Sequence, residues 1–282
     1  MSERLSRPAG IRSLQLGETK VTYVPDGVAQ LSPRHWFPDT TDADWADTAA
    51  YLDEAGYLVA SLGGLLVERA DRALLIDSGL GPVSAPAQPG SPVGAMSGGT
   101  LLDNLTHLGR PADRIEAVAF THLHGDHVGW VGHEALSGAE FLFSEAEWQH
   151  RDVVHHAPPA EVLKEMEPRV RTVTDGEEIF PGVRVLLTPG HTPGHAAYVI
   201  SGDDGRRVIA FGDAFHTPLQ MAHPEWRVSV DHDAEGAIAF RRRLVEQLAE
   251  PGTVGFGIHF ADVVFGRVAV DGGAPGWVPA DE

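Results

Sequence analysis

The stretch that most constrains this chain is Phe120-Thr121-His122-Leu123-His124-Gly125-Asp126-His127, which closes an apolar segment running from Glu116 to Phe120. Four side chains able to bind a metal fall within its last six residues. At the end of a strand, His122 and His124 are two residues apart and point the same way. Gly125 then lets the backbone turn sharply, so that Asp126 and His127 return toward the same centre. Imidazole and carboxylate are ligands that zinc, iron and manganese accept. The plainer alternative is a surface loop that happens to be polar. A His-x-His-x-Asp-His run after a strand is far more specific than a lone His-x-His, and favours the metal.

The same arrangement recurs along the chain. Ala73 to Ile76 ends in Asp77-Ser78-Gly79, and Val183 to Leu187 ends in Thr188-Pro189-Gly190-His191-Thr192-Pro193-Gly194-His195. Arg207 to Phe211 ends in Gly212-Asp213-Ala214-Phe215-His216, and Thr253 to Ile258 ends in His259-Phe260. Strand ends lie along one edge of a sheet, where residues distant in sequence converge on rigid supports. His122, His124, Asp126, His127, His191, Asp213 and His259 are too many for one four-coordinate ion and fit two, with Asp213 able to bridge through its two oxygens. Asp77 reads either as a turn residue or as an acceptor that orients a ligand histidine, and the neighbouring cluster favours the second. His195 reads as a group that orients His191 from behind.

The remaining sequence supplies the scaffold. Ile11 to Leu16 and Lys20 to Val24 read as a hairpin that Pro25-Asp26-Gly27 breaks, and Leu58 to Glu68 reads as a further strand. Helices are expected around Leu101 to Leu108, after Ser144, over Ala160 to Glu167, and from a cap at Asp233 through Leu248. On the last of these, Arg241-Arg242-Arg243 reads as a solvated face. Strands alternating with helices indicate α/β layers. No linker-like stretch divides residues 1–282, so one domain is expected, with 82–99 as a surface loop and the tail from Asp271 irregular. Trp36 and Phe37 lie in a polar, aromatic-bearing segment that reads equally as a pocket wall or as a satellite cluster under a loop. Met221, Trp226 and Phe260 are further pocket candidates.

Composition excludes several classes. A formal charge of −19 argues against nucleic acid, whose binding draws on clustered Lys and Arg. The absence of cysteine removes thiolate ligands and thiol nucleophiles. No apolar run reaches signal-peptide or membrane-spanning length, so a cytoplasmic protein without a membrane partner is the expectation.

Taken together, His122-x-His124-x-Asp126-His127, then His191, Asp213 and His259, with the Asp77-Ser78-Gly79 and Pro189-Gly190-His191-Thr192 turns, resemble the dinuclear hydrolases of the metallo-β-lactamase fold. The resemblance runs over most of the chain. It implies a four-layer αββα sandwich with the metal site at one edge of the two sheets. It also implies two divalent ions, zinc first with manganese, cobalt or iron as alternatives. His122, His124 and His191 would hold one, Asp126, His127 and His259 the other, and Asp213 would stand between them. The activity implied is hydrolysis of an ester-like bond in a small molecule (carboxylic ester, lactone, thioester or phosphotriester) by a hydroxide held between the ions. Asp126 would pass a proton to the leaving group. Quorum-quenching lactonases carry Tyr three residues after the bridging acid, whereas Gly212-Asp213-x-x-His216 is similar to the methyl parathion hydrolase branch. His216 would donate to the developing oxyanion, or else sit satisfied in the loop wall. A mononuclear iron dioxygenase of the same fold and an acyl-homoserine lactone lactonase are the alternative activities, and a homodimer is compatible with the family.

Overall fold

Period-two alternation builds two sheets that share a core. In the computed structural model, which describes residues 2–271 and 273–280, Leu65 and Val67 face one way and Leu66 the other. Leu74 and Ile76 alternate with Leu75, Leu142 with Phe141 and Phe143, and Val208 and Ala210 with Ile209. A strand buried on both faces reads as a nearly continuous apolar run, as these do. The inward set from one sheet packs on the inward set from the other, including Tyr198, Ile200, Val254 and Phe256.

The first sheet contains, among the described residues, β1 (Arg12–Leu16), β2 (Thr19–Leu31), β3 (Leu58–Arg69), β4 (Arg72–Ile76), β5 (Ser84–Ala85), β6 (Val93–Ser97), β7 (Ala117–Ala119), β8 (Glu140–Ser144) and β9 (Val170–Val173). Its order is β5-β6-β2-β3-β4-β7-β8-β9, with β1 also paired to β2. The second contains β10 (Glu178–Phe180), β11 (Val183–Leu187), β12 (Ala196–Ser201), β13 (Arg207–Ala210), β14 (Thr253–Phe256), β15 (Phe265–Asp271) and β16 (Ala274–Pro279), in that order. Short helices α1 (Pro33–Trp36) and α2 (Asp42–Asp47) follow β2. Helices α3 (Leu101–His107), α4 (Glu145–Gln149) and α5 (Ala160–Met166) cover the outer face of the first sheet, and α6 (Ala234–Leu248) covers that of the second. This is the expected αββα sandwich. No helix among the described residues is long and apolar enough to cross a membrane.

Direction places the site. β4 and β7 are parallel, as are β13 and β14, while β11 runs antiparallel to β12 and β12 to β13. β11, β13 and β14 therefore share one sense, and the segments after β4, β7, β11, β13 and β14 all begin at strand carboxyl ends.

Four expectations are corrected. Pro25-Asp26-Gly27 does not end the hairpin strand: β2 continues to Leu31 through a register shift between Pro25 and Gly27 opposite β3. The buried Asp26 carboxylate there accepts from the backbone of Leu80, Gly81, Gly99 and Leu101 and from Trp130 Nε1, tying three separate segments to one bulge. The 82–99 segment is not without structure, because β5 and β6 extend the sheet along β2. The tail from Asp271 is not irregular: β16 returns antiparallel along β15, and Trp277 donates Nε1 to Val263 O at 2.8 Å. Gly272, Asp281 and Glu282 of that tail lie outside the described residues. Finally, Arg241 is fully buried rather than solvated. One turn after Ala237 and just before Leu244, it occupies the inward stripe of α6, a position the helical period assigns to the core.

Candidate metal centre and its family

The strand ends bring seven side chains into two groups. His122, His124, His191 and Asp213 offer ligand atoms all within 4.8 Å of one another, and so do Asp126, His127 and His259. Asp213 faces both groups with different oxygens. Its Oδ2 lies 3.3 Å from His191 Nε2 and 3.7 Å from His122 Nε2, while its Oδ1 lies 3.1 Å from His127 Nε2 and 3.0 Å from His259 Nε2. A carboxylate so placed can serve two ions at once.

The far side of three of the rings is fixed by a partner. His127 Nδ1 donates to Asp77 Oδ2 at 2.9 Å, and Asp77 also accepts from the backbone N–H and hydroxyl of Thr121. His191 Nδ1 donates to Asp231 Oδ1 at 3.0 Å, and His259 Nδ1 to Ser61 O at 3.0 Å. Such contacts fix the ring orientation, so that Nε2 is the nitrogen that faces inward. His195 does not orient His191 as expected. Its Nε2 accepts the Asp213 N–H at 3.0 Å, which leaves Nδ1 to donate to Thr188 Oγ1 at 2.7 Å, and so it holds the bridging acid.

The donor set fits divalent cations. His122 Nε2, His127 Nε2 and Asp213 Oδ1 are buried without a hydrogen-bond partner, a cost a protein seldom leaves uncompensated. Burial, with the neighbouring His127 and His124, pushes the His122 pKa well down, so its ring is neutral and free to ligate. Burial likewise lowers His127, yet Asp213, Asp77 and Asp126 outweigh it and raise that ring well above the ordinary histidine range. Burial would raise the Asp213 carboxyl, but His127, His259, His216 and His122 hold it well below its usual value. The cavity is thus built to attract positive charge.

Two residues that the sequence reading did not single out brace the ligand loops. Glu147 of α4 is 1% exposed, and its Oε1 accepts from Leu123 N–H at 2.9 Å. Its Oε2 accepts from Thr192 Oγ1 at 2.7 Å and Gly194 N–H at 2.9 Å, so one carboxylate spans the His122 and His191 loops. Gly194 is required for this approach, because a Cβ there would meet Glu147 N at 1.9 Å. Asp231 is the second, paired with Arg241 Nη2 at 3.3 Å. Gly125 has no such role: its φ is not positive, and a Cβ would meet only His156 O at 3.8 Å. The turn into Asp126 forms without left-handed backbone.

A cavity of about 400 Å³ opens over both groups, reaching His124, Asp126, Asp213 and His259 at its floor. Ala29, Leu31, Ala60, Leu62, Val93 and Met96 are among its apolar walls, and no Lys or Arg is among the described residues that line it. Of the five aromatic and methionine pocket candidates, only Trp36 lines this space. Phe37 and Trp226 pack with Trp45 in an apolar cluster, and Met221 and Phe260 are fully buried against α6 and the second sheet. Their size draws them into the core beneath the loops, where dispersion contacts are densest. His216 also lines the cavity, edge-on to Trp36 at 5.3 Å, with Nε2 3.1 Å from Asp213 Oδ2. Burial lowers its pKa to about 4, so the ring is neutral. Its single proton lies toward Asp213, and oxyanion donation would require the other tautomer.

The sequence pattern of the Metallo-beta-lactamase superfamily matches residues 64–252. The chain belongs to this superfamily. An N-acyl homoserine lactonase from a Bacillus species is 30% identical over 207 residues, covering 69% of this chain and 79% of that one. Another, from Bacillus cereus, is 30% identical over 168 residues, covering 54% and 63%. Among solved structures, AidC, a dizinc quorum-quenching lactonase, superposes with a TM-score of 0.81 at 23% identity, covering 97% of this chain and 98% of that one. AbOPH, a hydrolase of the beta-lactamase superfamily, gives 0.78 at 24% identity with 98% and 99% covered. At those identities the two structures share the fold. Metallo-beta-lactamase membership and these relatives agree with the hydrolase and lactonase-like reading of the ligand pattern.

Proposed function

We propose that this metallo-beta-lactamase superfamily member hydrolyses the ester bond of a small, uncharged molecule with an apolar tail, with an N-acylated lactone as the leading substrate class. The observation that carries this is the cavity, whose polar floor holds members of both ligand groups and whose walls are mainly apolar, with no Lys or Arg among the described residues that line it. An apolar trough of this size with a few convergent polar groups recognises a tail by burial and orients a reactive head at the floor. The names of the 30%-identical relatives favour a lactone as that head. A neutral phosphotriester is compatible with the same apolar walls.

His122, His124 and His191 would hold one divalent ion, zinc in the leading reading, and Asp126, His127 and His259 the other, with Asp213 shared. Bound there, such ions would polarise the scissile carbonyl and lower the pKa of water. The chain's own groups do the rest. Asp126 is the floor carboxylate most open to the cavity, with its side chain 33% exposed and Oδ2 3.7 Å from His259 Nε2. That position lets it carry a proton to a leaving alkoxide. Asp77, Asp231 and Ser61 keep three imidazoles in one orientation, and His216 and His195 hold Asp213 from either side.

Metal analysis of the purified protein beside a panel of lactones, esters, thioesters and phosphotriesters tests this. Two equivalents of a divalent ion with chelator-sensitive lactone turnover are expected. A single iron with oxygen uptake and no hydrolysis would overturn the proposal in favour of the dioxygenase. Asp213→Ala should lose about 100-fold or more in kcat/KM together with one ion.

A further inference from the structure

The loop carrying His259 is bound to the amino-terminal segment by a set of ion pairs and hydrogen bonds. Two residues after His259, Ala261 has φ +40°, in the left-handed region that residues with a Cβ rarely adopt. Backbone of this kind persists only where its surroundings over-determine it. Here they do so from two sides.

On one side stands Asp262, 1% exposed. Arg7 donates to its Oδ2 through Nε at 3.0 Å and Nη2 at 2.8 Å, Arg12 Nη2 donates to its Oδ1 at 2.5 Å, and Arg4 Nε lies 3.4 Å from Oδ2. The backbone joins in, since Asp262 N–H donates to Arg4 O at 3.0 Å and the Arg4 guanidinium donates to Asp262 O. On the other side, Ser61 Oγ donates to Ala261 O at 2.9 Å and accepts the Ala9 N–H at 2.8 Å. The carbonyl of that same Ser61 receives His259 Nδ1. One carboxylate is neutralised by one guanidinium, so three, approaching from different points of the segment, immobilise it rather than merely balance its charge.

We infer that Arg4 to Arg12, acting through Asp262 and Ser61, are a positioning strap for the second ligand group, fixing the His259 ring so that Asp126, His127 and His259 hold their ion. The inference rests on the two-ion reading above. The first group has braces of its own in Glu147 and Asp231.

The test is manganese(II) titration of the metal-stripped full chain, followed by calorimetry and by electron paramagnetic resonance, for the wild type, Asp262→Asn, the softer Arg12→Ala and the control His191→Ala. Thermal unfolding of each stripped protein is recorded in parallel. The wild type should take two equivalents and show a spin-coupled spectrum. Asp262→Asn should keep one tight equivalent, bind the second about tenfold to a hundredfold more weakly, and show the signal of an isolated ion. Arg12→Ala should shift the same way by less, whereas His191→Ala should weaken the first equivalent. Asp262→Asn or Arg12→Ala binding both ions with wild-type affinity and coupling overturns the strap, as does equal weakening of both ions. Wild-type protein that takes fewer than two equivalents overturns the two-ion reading instead.

Discussion

His191 and Asp231 form a fully buried pair in which the imidazole Nδ1 donates to Oδ1 at 3.0 Å, and neither side chain exposes more than 1% of its surface. Burial would raise the Asp231 carboxyl, but His191 and Arg241 hold it below its usual value. The pair turns His191 Nε2 toward Asp213. Asp231→Asn should weaken ion binding by the first group about tenfold to a hundredfold, as loss of a carboxylate behind a ligand histidine does. Competition against a chromophoric chelator reads this directly, and unchanged affinity would remove Asp231 from the site. Asp231→Leu should cost stability as well, roughly 3–5 kcal/mol, because it strands the buried Arg241 charge.

Glu147 joins two loops through donors from Leu123, Thr192 and Gly194. Burial raises its pKa, while donors from Thr192, Leu123 and Gly194 pull it back. Glu147→Gln keeps the shape and replaces one acceptor with a donor that faces an N–H or hydroxyl. It should lower kcat and weaken the first ion together, and Gly194→Ala should destabilise the fold by roughly 1–3 kcal/mol through overpacking. Denaturant unfolding with metal analysis separates the two effects.

His195 gives a pH dependence with a definite sign. Its Nε2 accepts an N–H, so a second ring proton would oppose a donor, and burial lowers its pKa to about 3 from an ordinary 6.5. Between these values the unfolded chain binds a proton that the native ring refuses. Stability therefore falls as pH drops from 6.5 toward 3, by up to about 1.4 kcal/mol per pH unit from this group, and it contributes no slope above that window. In metal-stripped protein, His195→Gln should flatten the dependence by about one proton. An unaltered slope would show that the ring is protonated in the native state.

The cavity wall predicts selectivity for the tail. Ala60 lines it and is 2% exposed. Ala60→Phe should depress kcat/KM for long-tailed lactones and leave short ones nearly unchanged. Each methylene denied burial is worth about 0.8 kcal/mol, roughly fourfold. Kinetics over a series of acyl lengths would reveal a uniform loss instead if the wall does not bind the tail.

What the sequence makes legible is whatever local pattern encodes. Strand ends bearing His122, His124, Asp126, His127, His191, Asp213 and His259 stand out because punctuation by Gly and Pro marks where each strand stops. Asp231 and Glu147 do not, because their partners come from other elements. Ser144-x-x-Glu147 reads as a helix start, and Ser144 does accept the Glu147 N–H, but the acid turns instead to Leu123, Thr192 and Gly194. Arg241 was open to a better reading, since its place on the α6 stripe is fixed by the helical period. Large aromatics mislead for the opposite reason: Phe37, Trp226 and Phe260 satisfy either a pocket or a core, and composition cannot tell which.

The parentage of the ligands has a further consequence. His122, His124, Asp126 and His127 hang from the first sheet, and His191, Asp213 and His259 from the second. Every ligand group therefore straddles the seam between the two layers. An ion bound there is a clasp at one end of the sandwich, and its grip reports how well the two halves have closed. A mutation deep in the shared core, at Tyr198 or Leu74 for example, can unfasten that clasp without touching a ligand.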